Sequence, residues 1–360
     1  MSRPLRPGSL GFLVPGDWNL PTGGYTYDRR LVAALQSAGA QVLVCRADGA
    51  WPSPSQADLA RTNEALWRLP DQTLLVADGL AFGAMAELVS AHAHRLRWVA
   101  LVHHPLHMET GLTPQQRQHL AASETAALRH ALRVVVTSAA TLLDVVAMGV
   151  PVGQVRVVEP GTDPPTMTGA PPRPVPGPAQ ARPLQLLCVA TLTPRKGHSL
   201  LLEALAGLTH LAWELHCVGS ADRDPAHAAL LRGQASPLGR RVQWHGEVDA
   251  TALRAHYTAA DAFVLPSLHE GFGMVVTEAL SYGLPVVATD AGALAQTLPV
   301  GAGLQVAAGE VAPLQSALEQ ILTRPDLRMK LAANARACAL SLPTWAQQAD
   351  RFLSALEDLP

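Results

Sequence analysis

Lysine is nearly absent from this chain: of its 27 basic residues, only Lys196 and Lys330 are lysines. Acidic residues number 29, so the net charge is −2 at pH 7 and no broad basic surface for nucleic acid is predicted. The scarcity of lysine makes the position of each one informative. The first half also has no basic helical stripe that would indicate an acceptor at a membrane surface.

Long apolar runs and paired cysteines are also missing. No window of 18 or more apolar residues occurs, so no transmembrane segment is predicted, and residues 1–8 lack the apolar core of a signal peptide. Widely separated cysteines without metal-type spacing indicate small buried residues in a reducing compartment. We therefore expect a soluble, cytoplasmic protein, with four free cysteines at Cys45, Cys188, Cys217 and Cys338.

Hydrophobic residues make up 48% of the chain, and they fall into short runs separated by helix-patterned segments. Most runs are continuous rather than alternating, as in parallel strands that are buried on both faces. The repeated strand–helix pattern predicts an α/β protein with two parallel, doubly wound sheets. The predicted strands are 10–14, 41–45, 73–77, 98–102, 133–137, 155–158, 184–190, 213–218, 242–244, 262–265, 286–288 and 303–306.

A proline-rich stretch, 164–183, separates the two sets of strands. Proline cannot continue a helix or a central strand, so this stretch is interpreted as a stiff linker, with an ordered loop inside one domain as the alternative. The predicted domains are an N-terminal one over 1–163 and a C-terminal one over 184–342. The remaining segment, 343–360, is predicted to be a helix that packs back on the N-terminal domain.

Ligands bind at the carboxyl ends of the strands in open parallel sheets, so residues that follow each strand are candidates for a site. After the first strand, Gly23 and Gly24 open a helix whose free N–H groups favour a phosphate; a plain tight turn is the alternative. His103 and His104 end the fourth strand and are candidates for hydrogen bonding to a substrate. His107 adds a third potential zinc ligand, but no cysteine or second histidine pair completes such a site.

Two cations, Arg195 and Lys196, follow the seventh predicted strand at the start of a helix. The helix dipole is positive there, so each cation is disfavoured by about 0.3–1 kcal/mol unless an anion is bound. We interpret the pair as a diphosphate site, with two solvated surface cations as the alternative.

The most specific pattern of the chain follows the tenth predicted strand, and it consists of Glu270, Gly271, Phe272, Gly273 and Met274. A helix then carries Glu278, which is the only charged residue between Gly271 and Thr289. A lone carboxylate among apolar neighbours is costly unless it is hydrogen-bonded, and a ribose diol would supply such bonds. Two acids that simply favour a helix N-terminus are the alternative interpretation.

These residues resemble the Glu-x7-Glu signature of family-4 glycosyltransferases, which have the GT-B fold. The similarity covers nearly all of 184–336, whereas the first half is similar more loosely, through its glycine turn and His103. The resemblance implies two Rossmann-like domains that face each other across a cleft containing the active site. It also implies transfer of a sugar from a nucleotide-diphosphate sugar to an acceptor, with retention of anomeric configuration.

The resemblance assigns roles in the second half. Glu270 meets the hydroxyls of the donor sugar, Glu278 binds the ribose, and Arg195 and Lys196 hold the diphosphate. Backbone N–H groups of 271–274 assist. The nucleotide sugar is a co-substrate, and no metal or further cofactor is implied. Neither the base and sugar of the donor nor the acceptor is identified.

In the first half, the resemblance places His103 near the transferred sugar and Gly23 and Gly24 against the donor. The chain departs from the family at Thr191, where a phosphate-binding Arg is often found, so this role passes to Arg195. The segment 222–224, Asp-Arg-Asp, looks like the metal-binding pattern of a different glycosyltransferase fold. A proline follows it, which favours helix capping, and metal-independent activity is expected.

Two other functions use a similar architecture. A GT-B-fold sugar epimerase would share the site and transfer nothing to an acceptor. A nicotinamide-dependent dehydrogenase would need Gly-x-Gly-x-x-Gly, and the best candidate, 271–276, has Val276 in place of the third glycine. The presence of both glutamates and both cations disfavours a catalytically inactive binding module.

Overall fold

The computed structural model describes residues 10–109, 111–163, 182–357 and 359. The chain divides into two compact units, Met1–Gly161 with Pro343–Pro360, and Thr162–Leu342. The predicted linker over 164–183 lies outside the described residues, except for Arg182 and Pro183. Among the helices of the described ranges, none is long and apolar enough to cross a bilayer.

The first unit contains one parallel sheet with helices in the connections. Its strands are β1 (Leu10–Pro15), β2 (Val42–Ala47), β3 (Leu74–Asp78), β4 (Arg97–Val102), β5 (Arg133–Val136) and β6 (Val155–Val157). Its connecting helices are α1 (Gly23–Ser37), α2 (Gln56–Trp67), α3 (Gly79–Phe82), α4 (Ala86–His92), α5 (Pro114–Leu128) and α6 (Ala139–Ala147). The strand order is β2-β1-β3-β4-β5-β6, so the order reverses between β1 and β3.

The second unit repeats this plan. Its strands are β7 (Leu184–Val189), β8 (Trp213–Val218), β9 (Val242–Gly246), β10 (Ala262–Leu265), β11 (Val286–Thr289) and β12 (Gly303–Val306). Its helices are α7 (His198–Ala206), α8 (Pro225–Ala235), α9 (Ala250–Ala259), α10 (Met274–Ser281), α11 (Leu294–Thr297), α12 (Val311–Thr323) and α13 (Pro325–Ala339). The order β12-β11-β10-β7-β8-β9 is that of a Rossmann sheet and reverses between β7 and β10.

The C-terminal helix, α14 (Trp345–Glu357), packs against α1 in the first unit. The ring of Trp345 meets Tyr27 edge-on, with centroids 5.7 Å apart, and the Tyr27 hydroxyl donates to the carbonyl of Val158 at 2.9 Å. A Cβ on Gly161 would lie 2.4 Å from the backbone nitrogen of Trp345. A glycine is therefore needed where the chain passes this helix.

All twelve predicted strands are confirmed, and all of them pair in parallel. Central strands such as Ala262–Leu265 are buried on both faces, whereas the edge strands β2 and β12 are mostly half-buried. Cys188 and Cys217 are buried in β7 and β8, and all four cysteines are free thiols. Asp224 accepts a hydrogen bond from the His227 amide at 2.9 Å and caps α8, as its position before a proline predicts.

Candidate functional site

In the second unit, the loops that leave β7 and β10 meet where the strand order reverses, which is the usual ligand position in such sheets. The amide of Leu268 donates to the carbonyl of Arg195 at 2.7 Å and joins the two loops. Gly197 has φ of 70°, and a Cβ there would lie 1.9 Å from the carbonyl oxygen of Pro266. The loop with Arg195 and Lys196 and the loop with Glu270 therefore form one structure.

Glu270 is buried at this junction and receives three polar contacts. Lys196 Nζ lies 2.5 Å from its Oε1, and Arg195 Nη1 lies 3.5 Å from its Oε2. The hydroxyl of Ser267 donates to Oε1 at 2.7 Å. Burial alone would raise the pKa of Glu270, but the two cations and these hydrogen bonds outweigh it and hold the pKa at about 2.

The cluster of Arg195, Lys196 and Glu270 is positive overall, because two cations surround one ionised carboxylate. Arg195 also donates to the carbonyl of His269 at 2.8 Å, which fixes its guanidinium beside the loop. A buried carboxylate can accept hydrogen bonds from sugar hydroxyls, while the cations can hold a phosphate. The side chains thus suit a ligand that contains both sugar hydroxyls and a phosphate.

The start of α10 lies directly after this cluster. Gly273 precedes the helix with φ of 89°, and no side chain of the described residues caps the first turn. Gly292, with φ of 58°, approaches from the other side: a Cβ there would lie 2.4 Å from the carbonyl of Glu270, which also accepts from the amide of Ala293 at 2.9 Å. Uncapped N–H groups at a helix start favour a bound anion.

Glu278 lies further along α10 and is half-buried. It accepts a hydrogen bond from the hydroxyl of the buried Tyr257 at 2.8 Å, and the Tyr257 ring stacks on Tyr282 with centroids 5.0 Å apart. Burial and the charge of Glu278 raise the pKa of Tyr257, so its hydroxyl stays a donor. A protein side chain therefore already meets part of the hydrogen-bonding need of the lone carboxylate.

In the first unit, His103 follows β4 and lies between two buried carboxyl groups. Its Nε2 is 3.1 Å from Asp28 Oδ1 and 3.3 Å from Asp78 Oδ2. A Cβ built on Gly24 would lie 3.2 Å from Cδ2 of the imidazole. The structure thus brings together Gly24 and His103, two of the residues predicted from the sequence.

The three titratable groups of this cluster hold different charges. Burial would lower the pKa of His103, but Asp28 and Asp78 outweigh it and raise it to about 10. Burial and the charge of Asp78 raise the pKa of Asp28 to about 8, whereas contacts with His103 outweigh burial and lower that of Asp78. The contacts therefore favour a protonated imidazole, and of the two carboxyl groups Asp28 is the one whose neutral form is favoured.

The side chain of His104 has a different partner from that of His103, because its Nε2 lies 3.1 Å from Glu109 Oε2. Within the described ranges, neither His104 nor His107 joins a group of three potential metal ligands. The other predicted residue of the α1 turn, Gly23, has open space around it, because a Cβ added there would meet no described atom within 4 Å.

Asp28, Asp78, Ser267 and Tyr257 are not among the site residues predicted from the sequence. Asp78 ends β3, so the rule that ligands meet strand ends could have found it. Asp28 lies one turn after Gly24 on α1, on the buried side of that helix. Tyr257 carries no local signal, because only the fold brings α9 against α10.

Comparisons with known proteins agree with this architecture. Residues 176–337 match the model of the family described as glycosyl transferases group 1. A phosphatidyl-myo-inositol mannosyltransferase of Mycobacterium leprae is 35% identical over 168 residues, which are 46% of this chain and 43% of that protein. A D-inositol 3-phosphate glycosyltransferase of Geodermatophilus obscurus is 32% identical over 180 residues, or 47% and 39%. The matching part thus spans less than half of these relatives' length.

Solved structures are similar over the whole chain. Sucrose-phosphate synthase from Thermosynechococcus elongatus has a TM-score of 0.80 at 23% identity, covering 98% of both chains. The Anabaena protein HepE in complex with UDP and glucose has a TM-score of 0.75 at 19% identity, covering 98% of this chain and 100% of that one. These likenesses show the GT-B fold. Over residues 176–337, the chain is similar to the glycosyl transferases group 1 family.

Proposed function

We propose that this protein is a glycosyltransferase that moves a sugar from a nucleotide-diphosphate sugar to an acceptor. The observation that carries the proposal is the buried Glu270 with the half-buried cations Arg195 and Lys196, beside a start of α10 that no described side chain caps. Its cations and N–H groups suit a diphosphate, and its carboxylate suits sugar hydroxyls. A nucleotide sugar contains both groups next to each other.

The charge state of Glu270 supports its assignment to the sugar. With a pKa of about 2 it is ionised at any physiological pH, so it is an acceptor and not a general acid. Lys196 contacts Glu270 Oε1, and an ammonium has three donors, so it can hold a phosphate oxygen at the same time. Glu278, held by Tyr257, is assigned to the ribose diol.

His103 is assigned to the transferred sugar and to the charge that develops as the diphosphate leaves. An imidazolium with a pKa of about 10 is a permanent donor at pH 7, so His103 acts as a positioning cation and not as a base. Its Nε2 faces Asp28 and Asp78, which leaves Nδ1 for a ligand. Retention of configuration is carried over from the family resemblance.

We further propose that the transfer needs no metal ion, because two cations and a helix start supply positive charge for the leaving diphosphate. Free thiols at all four cysteines support a reducing, cytoplasmic location. The HepE complex contains UDP and glucose, which makes UDP-glucose the first donor to test. The mycobacterial and Geodermatophilus relatives make inositol-containing acceptors the first class to test.

The proposal is tested in two stages. A thermal-shift screen with UDP, GDP, ADP and their sugars should identify one nucleotide that raises the melting temperature. The matching sugar donor is then incubated with and without acceptors, and the anomeric configuration of the product is determined by NMR. A product in which the donor sugar is bound to an acceptor is expected, with the configuration of the donor retained.

Other outcomes separate the alternatives. Isomerisation of the donor without an acceptor would indicate an epimerase. A fluorescence change on addition of nicotinamide cofactors would indicate a dehydrogenase. Neither alternative is supported by the relatives described above, which are named as transferases or a synthase. Absence of any response to nucleotides would contradict the proposal itself.

A further inference from the structure

Three histidines outside the proposed sugar-transfer site converge at one edge of the second sheet. His216 lies in β8, His245 in the edge strand β9 and His256 in α9. One ring nitrogen from each lies within 4.8 Å of the other two. The ring centroids of His245 and His256 are 4.3 Å apart, and those of His216 and His245 are 5.2 Å apart. The proposed sugar transfer uses none of these side chains.

The nitrogen spacing is close to that of a tetrahedral metal site. His216 Nδ1 and His245 Nε2 are 3.0 Å apart. Zinc–nitrogen bonds of about 2.0–2.1 Å in a tetrahedron place two ligand nitrogens about 3.3 Å apart. The His256 nitrogen lies within 4.8 Å of the other two, so metal binding requires a side-chain rotation that brings it closer.

Polar side chains behind His216 fix its orientation. Its Nε2 lies 2.5 Å from the carbonyl oxygen of the Gln185 side chain, which can only accept, so Nε2 carries the proton. The Gln185 amide nitrogen donates in turn to Glu214 Oε2 at 3.3 Å. The lone pair on His216 Nδ1 therefore faces the other two histidines. Metal-binding histidines almost always donate their second N–H to a partner of this kind.

The protonation of these side chains also suits a metal. Burial lowers the pKa of all three, and the neighbouring His256 adds to the effect on His216 and His245. Neutral imidazole is the form that coordinates a metal ion. The cluster around His103 differs, because its imidazole is protonated and its Nε2 donates to carboxyl groups.

We propose that His216, His245 and His256 form a binding site for a divalent transition metal ion such as Zn²⁺, with a fourth position open to water. A bound ion would clamp α9 to the edge strands β8 and β9. Tyr257 follows His256 directly and holds Glu278, so the clamp would also steady α9 at that contact. The metal site does not depend on the proposed sugar transfer.

The test uses the full chain, freed of metal with a chelator, and Zn²⁺ or Co²⁺ alone as the probe. Isothermal titration calorimetry should give one site that is tighter than any background binding. Zn²⁺ at about 100 times its dissociation constant should raise the melting temperature of the second unit by about 5–10 °C. Co²⁺ should give visible absorption bands of a tetrahedral, nitrogen-rich site.

Matched variants locate the site. His245→Ala and His256→Ala should each abolish the tight site, and Gln185→Ala should weaken it by about 10–100-fold. His210→Ala, at an exposed position of the same unit, should bind like the unmodified protein. Melting temperatures without metal confirm that each variant folds. The proposal is overturned if the double variant His245→Ala/His256→Ala still binds Zn²⁺ tightly, or if tight binding is lost in His103→Ala instead.

Discussion

The hydroxyl of Tyr257 donates a hydrogen bond to the carboxylate of Glu278 across 2.8 Å, from α9 to α10. Tyr257 is buried and stacked on Tyr282, so it holds one oxygen of the carboxylate in place. A ligand that contacts this carboxylate therefore costs little side-chain entropy. This pair makes Glu278 a preorganised acceptor, which is the property that recognition of a ribose diol requires.

The two glutamates should therefore separate nucleotide binding from turnover. Glu278→Gln should weaken binding of the free nucleoside diphosphate by about 1–3 kcal/mol, because it exchanges an ionised acceptor for a neutral amide. Glu270→Gln should leave that binding intact or tighter, since Lys196 loses its counterion, and should lower turnover of the full donor. Calorimetry and steady-state kinetics measure the two effects. Equal losses of nucleotide affinity in both variants would contradict the assignment.

His103→Ala should lower kcat by about 10²-fold or more, the range for a lost transition-state donor, and should leave nucleotide binding unchanged. His104→Ala is the matched variant, because its side chain meets Glu109 rather than the two buried carboxyl groups. His104→Ala should lower kcat much less than His103→Ala does. If His104→Ala were the inactive variant and His103→Ala active, the family alignment in the first half would be wrong.

Gly24→Ala should lower activity without lowering stability. The new methyl group would lie 3.2 Å from the His103 ring, which is held on its other side by Asp28 and Asp78, so the ring must shift by a few tenths of an ångström. Alanine is also the better residue inside a helix, by about 0.5–1 kcal/mol. Melting curves and kcat separate the two effects. Gly233→Ala in α8, where a Cβ meets no described atom within 4 Å, is the control and should keep full activity.

The cluster around His103 should make stability fall in alkaline solution. Its raised pKa means that the imidazolium stabilises the fold fully below about pH 6.5, and that this stabilisation is lost as the pH rises towards 10. The pKa of Asp28 is raised from 3.8 to about 8, so ionisation of Asp28 also lowers stability as the pH rises between those two values. Urea unfolding at pH 6 to 10 should show the fall, and His103→Gln should flatten it. If stability fell by the same amount in His103→Gln, other titratable groups would be responsible for the pH dependence.

The two carboxyl groups beside His103 should respond differently to amide substitution. Asp28→Asn should change stability little at pH 7, because burial and the charge of Asp78 raise the pKa of Asp28 and favour its neutral form. Asp78→Asn should cost about 3–5 kcal/mol, because it leaves the buried imidazolium without its counterion. Denaturant titrations compare the two variants at pH 7. A larger loss in Asp28→Asn would indicate that Asp28, and not Asp78, is the ionised carboxyl group.

Sugar transfer should resist metal chelation. Arg195, Lys196 and the start of α10 supply the positive charge that a metal would otherwise provide. The measurement is best made in His256→Ala, so that loss of a metal from the three-histidine site cannot affect the result. Turnover should be unchanged in EDTA. Loss of turnover that Mg²⁺ or Mn²⁺ restores would refute metal independence.

The two parallel sheets and the candidate site residues of the second unit are visible in the sequence alone. Strands buried on both faces must be continuously apolar, so each run is visible without knowledge of its partners, as at Ala262–Leu265. The residues after β7 and β10 lie close to those strands along the chain. The strand-end rule therefore identified Arg195, Lys196 and Glu270, and the structure brings them into contact.

The contacts between distant side chains, in contrast, depend on the tertiary fold. Asp28 and His103 are 75 residues apart, and His216 and His245 are 29 apart, so no local spacing predicts either contact. Such contacts depend on the order of the strands in a sheet and on the face that each helix covers. The succession of strands and helices along a chain fixes neither of them. The protonation of His103 follows from its contacts with two acids, which outweigh its burial, and both are properties of the folded chain alone.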